Sequence, residues 1–452
     1  MKNETRDLSL YIHIPFCRAK CNYCDFLSFG GCSISEQREY VNALCKEIGA
    51  YSLIADEYRV AAIFFGGGTP SFIDAELIGK ILEKIRETFT LSKDCEITIE
   101  GNPDSLTRDK LAAYRSFGIN RLSIGLQSTN DEMLRLLGRV HNYDQFIAAY
   151  SRARKAGFDN INIDIMSGLP GESMESYVKT LGKVVELQPE HISAYSLIVE
   201  DGTPLAEDKE SLSKLPSEEL DRKQYARTKL LLRQSGYERY EISNYARTGY
   251  ECRHNLTYWQ GGEYLGLGLG AASYIKIWDD GMESMPESMD NVYLSGEMWE
   301  NGVNIGYDDP QNDDPLYNEH RYIAKGINEK LTAVRFKGVD SVDEYIGRFS
   351  RFGSGWTDIN SIKELINNYY TEIQVLKEKD MIEEFMFLGL RCIKGVSRNH
   401  FYESFGKSID DIYGSVIDKY VASGHLISDG DSIYLSDMGL DVSNTVMAEF
   451  LL

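Results

Sequence analysis

The sequence predicts a parallel α/β fold: a partial TIM-type barrel of six βα units, an α+β flank and a small C-terminal winged-helix-like module. From residue 8 to about 200, short β-branched runs alternate with amphipathic stretches, which is the pattern of repeated βα units. The candidate strands are LSLYIHIP (8–15), RVAAIFF (59–65), EITIE (96–100), RLSIGL (121–126), INIDIM (161–166) and HISAYSLI (191–198). Because a closed barrel has eight units, either two more follow in altered form or the barrel stays partly open.

Changes in composition predict four segments along the 452 residues. These are a barrel at 1–235, a flank at 236–276 with the run YLGLGLGAASY, an acidic insertion at 277–336 and a helical, winged-helix-like domain at 337–452. The stretch 277–320 contains twelve Asp or Glu and no Lys or Arg, which is typical of a loop-rich insertion. The hairpin-like ISDGDSIYLS, which follows a helical pattern, indicates the winged helix.

The bulk composition excludes several classes of partner. The formal net charge of −22 repels nucleic acid, and residues 383–452 carry five Lys or Arg against eleven Asp or Glu. No apolar run approaches the roughly 20 residues that span a bilayer, so no stable membrane insertion is expected. The N-terminal MKNETRDLSL lacks the pattern of a secretory signal, so we expect a cytoplasmic protein with reduced thiols.

Three cysteines stand together directly after the first predicted strand. Cys17, Cys21 and Cys24 have the spacing C-x3-C-x2-C. A 4Fe-4S cluster held entirely by protein needs four thiolates, so three leave one iron open. An open iron can bind the amino and carboxylate groups of S-adenosylmethionine (SAM). Transfer of an electron from the cluster to the sulfonium of SAM then cleaves a carbon–sulfur bond. The alternative is zinc, which prefers four ligands spaced as two separated pairs.

Polar and glycine residues follow the later predicted strands. The turn FFGGGTPS places Gly66, Gly67 and Gly68 after the second strand, where the backbone can approach a ligand closely. The carboxyl ends of parallel strands meet at one edge, where chemistry is carried in such folds. The strand-end side chains that can reach a ligand there are Glu100, Gln127 and Asp164. Each of them, taken singly, is equally explained as a helix cap.

Four segments together resemble the radical SAM family that contains the oxygen-independent coproporphyrinogen III oxidase HemN and its relative HemW. They are YIHIPFC with the cysteines that follow, GGGTPS, IGLQS and INIDIMSGLPGE. The likeness covers residues 8–275 and resumes from about 381 to 452, which leaves out the acidic insertion. It implies a radical SAM barrel with a 4Fe-4S cluster and SAM as cofactors.

The resemblance also implies which residues hold these cofactors. The cluster ligands are Cys17, Cys21 and Cys24, and Tyr23 matches the aromatic residue packed beside the cluster. The positions that match SAM contacts are Tyr11, Gly67, Gly68, Thr69, Glu100, Gln127, Arg139 and Asp164. Arg139 is implied by the resemblance alone, because LLGRVHNYDQ reads as an ordinary helical surface.

Two features favour the HemW branch over the oxidase branch. The oxidase type carries another cysteine soon after the triplet, whereas Cys24 is followed here by Asp25 and Phe26. The segment CRHNLTYW at 252–259 matches the HNxxYW motif of HemW proteins, which are regarded as haem chaperones.

The HNxxYW segment suggests a haem site. His254 can supply an imidazole to the haem iron, Tyr258 and Trp259 can pack on the porphyrin, and Asn255 can orient the histidine. The alternative is that His254 is a polar residue with satisfied hydrogen bonds near a core tryptophan.

The resemblance thus implies a haem chaperone that binds haem as cargo and passes it to a haem-accepting protein, with an electron donor serving its cluster. No catalytic residue is assigned. The enzymatic alternatives are oxidative decarboxylation of coproporphyrinogen III to protoporphyrinogen IX, and another HemN-like radical SAM reaction such as methyl transfer.

Overall fold

The computed structural model describes residues 5–278, 299–300, 303–304, 331–350 and 361–452. Most of the predicted acidic insertion lies outside these described residues. The chain divides into two compact units, Met1–Ser273 with Lys337–Thr371, and Tyr274–Phe336 with Glu372–Leu452. The subdivision at residues 235, 276 and 336 stays a prediction.

Six parallel strands form the centre of the first unit, side by side in the order in which they occur in the chain. They are β1 (Arg6–Ile14), β2 (Tyr58–Gly67), β3 (Thr90–Gly101), β4 (Arg121–Gln127), β5 (Ile161–Ser167) and β6 (His191–Ser196). Their carboxyl ends therefore lie at the same edge. The predicted arrangement of six βα units is confirmed.

Helices follow each of these strands. They are α1 (Ile34–Ala50), α2 (Ala75–Thr88), α3 (Arg108–Ser116), α4 (Asp131–Leu136), α5 (Tyr143–Lys155), α6 (Met174–Glu186) and α7 (Glu218–Gln234). Capping boxes begin two of them, one between Ser33 and Glu36 and the other between Asn142 and Gln145. In each box, two backbone N–H groups that have no partner within the helix are satisfied by side chains, which fixes where the helix starts.

Strand β1 shows how the sequence separates core from site. Leu8, Leu10 and Ile12 are buried among apolar residues on one face. Tyr11 and His13 alternate with them and line a cavity on the other face. Because side chains along a strand point to opposite faces in turn, one strand supplies both the core and the interior of the site.

The glycine-rich flank contributes to the sheet, which the composition did not predict. Strand β7 (Glu238–Arg239) pairs with β8 (Asn244–Ala246), which runs antiparallel beside β6. After helix α8 (Arg253–Trp259), β9 (Glu263–Leu267) pairs in parallel with β1. The barrel is therefore extended at both edges, by a seventh parallel strand on one side and an antiparallel pair on the other.

A buried carboxyl group ties the segment 337–371 to the barrel. Glu47 of α1 is fully buried and accepts hydrogen bonds from Tyr345 Oη (2.5 Å), Tyr370 Oη (2.7 Å) and the backbone N–H of Gly268 (2.8 Å). Tyr345 lies in α9 (Val342–Ser350), and Tyr370 follows α10 (Ile362–Tyr369). Burial raises the pKa of Glu47 to about 7, against the lowering effect of its three donors.

Three neighbouring strands belong largely to the second unit, in the order β12 (Thr371–Leu376), β11 (Leu331–Lys337) and β10 (Ala272–Trp278). Helices α11 (Glu378–Gly389), α12 (Arg398–Phe405) and α13 (Ile409–Ala422) then pack with an antiparallel sheet of β13 (Val396–Ser397), β15 (Ser432–Leu435) and β14 (Leu426–Asp429). Their shared core includes Phe401, Tyr413 and Ile433, and Met447 of the later helix Ser443–Ala448 packs into it. This is the winged-helix-like module that the sequence predicted.

Within the described ranges, no helix has both the length and the apolar character needed to cross a membrane.

Candidate functional site

The cysteine loop leaves the carboxyl end of β1. Cys17 is buried, Cys21 and Cys24 are partly exposed, and all three line one cavity of about 330 Å³. Two side chains donate to these sulfurs, Thr69 Oγ1 to Cys17 Sγ and Arg139 Nη1 to Cys21 Sγ, each at 3.5 Å. Hydrogen bonds to cysteine sulfurs stabilise their thiolate form, which is the form that binds metal.

The placement of these thiols on one cavity wall is compatible with a cluster. In the described part of the chain, no group of three or more His, Cys, Asp or Glu side chains is arranged to hold one metal ion. A zinc site requires such convergence on one point. In a cluster each thiolate binds a different iron, so three thiols on one cavity wall suffice.

The three glycines are required by the side chains of β1 and its loop. A Cβ at Gly66 would lie 2.9 Å from the Tyr11 ring, one at Gly67 would lie 2.6 Å from the His13 ring, and one at Gly68 would lie 2.9 Å from Cys17 Sγ. Gly67 also has a φ of +108°. The GGGTP turn therefore lets β2 approach both the cysteine loop and the cavity. The His13 ring also bonds the backbone carbonyl of Leu27 through Nε2 at 2.9 Å.

The strand-end polar groups meet in the cysteine cavity. Glu100, Gln127 and Asp164 all line it. Gln127 has a φ of +69°, a conformation that costs energy for a residue other than glycine and is frequent at functional sites. Asp164 accepts hydrogen bonds from Ser123 Oγ (3.0 Å) and Asn162 Nδ2 (2.7 Å).

Glu100 places a buried, ionisable carboxyl group in this cavity. Burial, and secondly the negative charge of Asp164, raises the pKa of Glu100 to about 8. A cationic ligand beside the carboxyl would reverse that effect and become bound more tightly as Glu100 ionises. The sulfonium and ammonium groups of SAM have this charge, so these residues fit SAM.

Arg139 reaches the cavity from the loop after α4. Its Nη2 donates to Asn102 Oδ1 (2.5 Å) and to the carbonyl of Gly125 (2.8 Å), while its Nη1 contacts Cys21. Tyr23 packs against a small apolar cluster beside it. The structure thus places every predicted cluster and SAM residue except Tyr11 on one cavity wall. Asn102, which sequence reasoning missed, links Arg139 to Thr69.

A second cavity, of about 480 Å³, adjoins the first. Tyr11 and His254 lie in its wall, together with aromatic side chains and a polar group of residues. The two cavities share the wall residues Phe26, Gly67, Glu100, Ser123, Asp164 and Tyr195. Phe26 is 69% exposed.

His254 stands among aromatic rings in this second cavity. It is 2% exposed, and its Nδ1 lies 2.6 Å from Ser9 Oγ. Its ring stacks with Phe64 (centroids 5.0 Å apart) and Tyr11 (5.9 Å) and meets Tyr258 edge-on (4.8 Å). Burial first, and then the positive charge of Arg121, lowers the pKa of His254 to about 3, so the imidazole stays neutral.

The other residues of the HNxxYW segment take different places. Asn255 and Tyr258 line the cavity with His254, but Trp259 is not among its described lining residues. Ser9 holds the histidine ring, the role that the sequence suggested for Asn255. Ser9 was missed because it belongs to β1 and lies 245 residues away along the chain.

Comparison with known proteins places the chain in a family. The sequence profile of the Radical SAM superfamily matches residues 11–184, and that of the HemN C-terminal domain matches residues 376–442. The chain is 31% identical over 447 residues to the protein named Heme chaperone HemW of Bacillus subtilis (strain 168), covering 98% of this chain and 99% of that one. The chain belongs to the HemW family. The resemblance inferred from its motifs is therefore confirmed.

Further relatives extend this picture. Heme chaperone HemW of Escherichia coli (strain K12) is 38% identical over 278 residues, covering 60% of this chain and 71% of that one. The mouse protein named Radical S-adenosyl methionine domain-containing protein 1, mitochondrial, is 28% identical over 448 residues, covering 98% of this chain and 87% of that one. Among solved structures, coproporphyrinogen III oxidase (HemN) from Escherichia coli has a TM-score of 0.72 at 22% identity, covering 99% of this chain and 90% of that one. The last comparison shows that this chain has the same fold as that protein.

Proposed function

We propose that this protein is a haem chaperone that binds haem in the His254 cavity and passes it to an acceptor protein. Membership in the HemW family supports the proposal, because its relatives are named haem chaperones. The observation that carries it is the state of His254. Its Nδ1 is engaged by Ser9, and its Nε2 has no hydrogen-bond partner among the described residues.

The cavity suits a porphyrin chemically. A histidine binds iron through a neutral ring nitrogen, and the hydrogen bond made by the other nitrogen orients the ring and selects its tautomer. Binding through Nε2 requires that Nδ1 carry the ring proton and that this N–H donate a hydrogen bond to Ser9 Oγ. Tyr11, Phe64 and Tyr258 supply aromatic surface around the imidazole, and about 480 Å³ lies within the usual range for a small-molecule pocket.

The adjoining cavity would hold the cofactors. Cys17, Cys21 and Cys24 would bind the cluster, which supplies an electron to the sulfonium of SAM when a donor protein has reduced it. The contacts proposed for SAM are Tyr11, Tyr23, Gly67, Gly68, Thr69, Glu100, Gln127, Arg139 and Asp164. Because Tyr11 lies against His254 and Gly67 lines both cavities, changes in one cavity can alter the wall of the other.

Haem titration of the reconstituted protein tests the proposal. The wild type should bind one haem saturably, with a shift of the Soret band. His254→Ala should weaken binding at least tenfold and change the position of the band, whereas His400→Ala, which removes an exposed histidine of the second unit, should do neither. Unchanged binding by His254→Ala, with iron and sulfide contents equal to those of the wild type, would contradict a role for His254.

An anaerobic assay on the same sample separates the enzymatic alternative. The chaperone proposal expects no conversion of coproporphyrinogen III in the presence of SAM and a reductant. Formation of the vinyl product together with 5′-deoxyadenosine would replace the proposal by an oxidase activity.

A further inference from the structure

A buried arginine lies in the His254 cavity. Arg121 begins β4, its side chain is 2% exposed, and it lines the cavity that also contains His254. It is the one Lys or Arg among the described residues that line this cavity. Both residues line this cavity, and burial first, and then the positive charge of Arg121, lowers the pKa of His254.

The guanidinium of Arg121 makes no ion pair and no hydrogen bond with any residue that the structure describes. Its Nε is completely sealed from solvent without a partner. An arginine has five N–H donors and cannot lose its charge, so leaving it buried and unbonded costs several kcal/mol. Because Nε is sealed, the terminal nitrogens Nη1 and Nη2 are the atoms that can meet a ligand in the cavity.

The neighbouring acids balance this charge without bonding to it. Burial lowers the pKa of Arg121, but the acidic groups of Cys252, Glu96, Tyr240 and Asp164 together raise it above its usual value. Among the described residues, neither Glu96 nor Asp164 forms an ion pair with Arg121. Glu96 instead accepts a hydrogen bond from the backbone N–H of Arg253 at 3.0 Å, and Asp164 is held by Ser123 and Asn162. The terminal N–H groups of the Arg121 guanidinium are therefore available to an acceptor on a bound ligand.

A carboxylate is the acceptor that matches this guanidinium. A guanidinium binds carboxylates with two parallel hydrogen bonds, a geometry that neutral acceptors and single oxygens do not offer. We propose that Arg121 anchors a carboxylate of the ligand in the His254 cavity, namely a propionate group of the porphyrin. This inference rests on the proposed function. SAM is the less suitable source of the carboxylate, because Arg121 is not among the described residues that line the cysteine cavity.

The test compares two ligands and four proteins. Iron protoporphyrin IX and its dimethyl ester, in which both propionates are neutral, are titrated into the reconstituted full-length protein under identical detergent conditions. The wild type should bind the free acid at least tenfold more tightly than the ester. Arg121→Gln should bind both ligands with the affinity of the wild type for the ester, and Arg121→Lys should keep part of the preference. Arg115→Gln, which changes a residue of α3 that lines neither cavity, should keep all of it.

Each outcome decides the matter. Equal binding of acid and ester by the wild type overturns the anchor while leaving haem binding intact, and this arm needs no variant to fold. A preference that survives in Arg121→Gln also overturns it. An Arg121→Gln protein that loses affinity for SAM but keeps the porphyrin preference assigns the arginine to SAM instead. Failure of the wild type to bind either porphyrin overturns the proposed function together with the anchor.

Discussion

The glycine turn after β2 makes a graded prediction about stability. Gly67→Ala combines two penalties, because the residue has a φ of +108° and its Cβ would stand 2.6 Å from the His13 ring. The ring cannot move away freely, since Nε2 bonds the Leu27 carbonyl and Nδ1 lies 3.2 Å from Tyr11 Oη. The φ penalty is about 1–3 kcal/mol and the overpacking about 1–3 kcal/mol, so the free energy of unfolding should fall by about 2–6 kcal/mol.

Two other glycines separate these penalties. Gly171 has a φ of +75° but no atom within 4 Å of its added Cβ, so Gly171→Ala should cost only the backbone term, about 1–2 kcal/mol. Gly182 lies within α6 with equally open space, so Gly182→Ala should stabilise the protein by about 1 kcal/mol.

Thermal unfolding of the three variants, with cluster content measured on the same samples, checks the order. We expect Gly67→Ala to have the lowest Tm, displaced on the order of 10 °C, and to bind less iron and sulfide than the wild type. Gly171→Ala should fall between it and the wild type, and Gly182→Ala should lie above the wild type. The reasoning fails if Gly67→Ala and Gly171→Ala unfold at the same temperature, because the contact with His13 would then cost nothing.

Three further results are expected from single groups. Ser9→Ala should weaken haem binding by about 10–100-fold in a Soret titration while the iron and sulfide contents stay normal, because it releases the ring of His254. Haem affinity should be constant from pH 7 to 5.5, because the pKa of His254 is about 3 and Glu100 of the same cavity, with a pKa of about 8, stays largely protonated. An ordinary histidine would lose about tenfold at pH 5.5 through protonation. Glu172 is buried with no partner for either carboxylate oxygen among the described residues, and burial raises its pKa to about 8. Because the pKa is higher in the folded than in the unfolded protein, Glu172 lowers the free energy of unfolding at pH values above its ordinary pKa and has no effect below it. Glu172→Gln should therefore raise the free energy of unfolding by up to about 3 kcal/mol at pH 7 and leave it unchanged at pH 4. Denaturant unfolding at both pH values measures this difference.

Short sequence motifs predicted those parts of the site that are formed by residues close together in the chain. The cysteine spacing, the glycine turn and the polar residues at the ends of β3 to β5 each occupy one short segment that follows a strand. Because the strands are parallel, their order alone brings these segments to one edge. Strand β9 escaped prediction because its five residues include a glycine and lie within a glycine-rich run.

The remaining site residues depend on contacts that no local pattern encodes. Arg139 reads as a helix surface and bonds Cys21 across 118 residues, so the family resemblance was its one signal. Ser9 occupies an alternate position of a strand, which gives its face but not its partner. Arg121 begins a buried strand, and its role emerges when the bonding of Glu96 and Asp164 leaves its donors unused.

The hydrogen bonds to Glu47 join parts of the chain that are synthesised at very different times. Tyr345 and Tyr370 reach Glu47 from 298 and 323 residues further along the chain. The same carboxylate accepts a hydrogen bond from the backbone N–H of Gly268, next to the stretch from Gly270 to Ala272 that forms part of the wall of the His254 cavity. A nascent chain can therefore form the parallel strands early. The hydrogen bonds from Tyr345 and Tyr370 to Glu47 can form only after residue 370 has left the ribosome. This side of the His254 cavity is therefore fully supported only in a nearly complete chain.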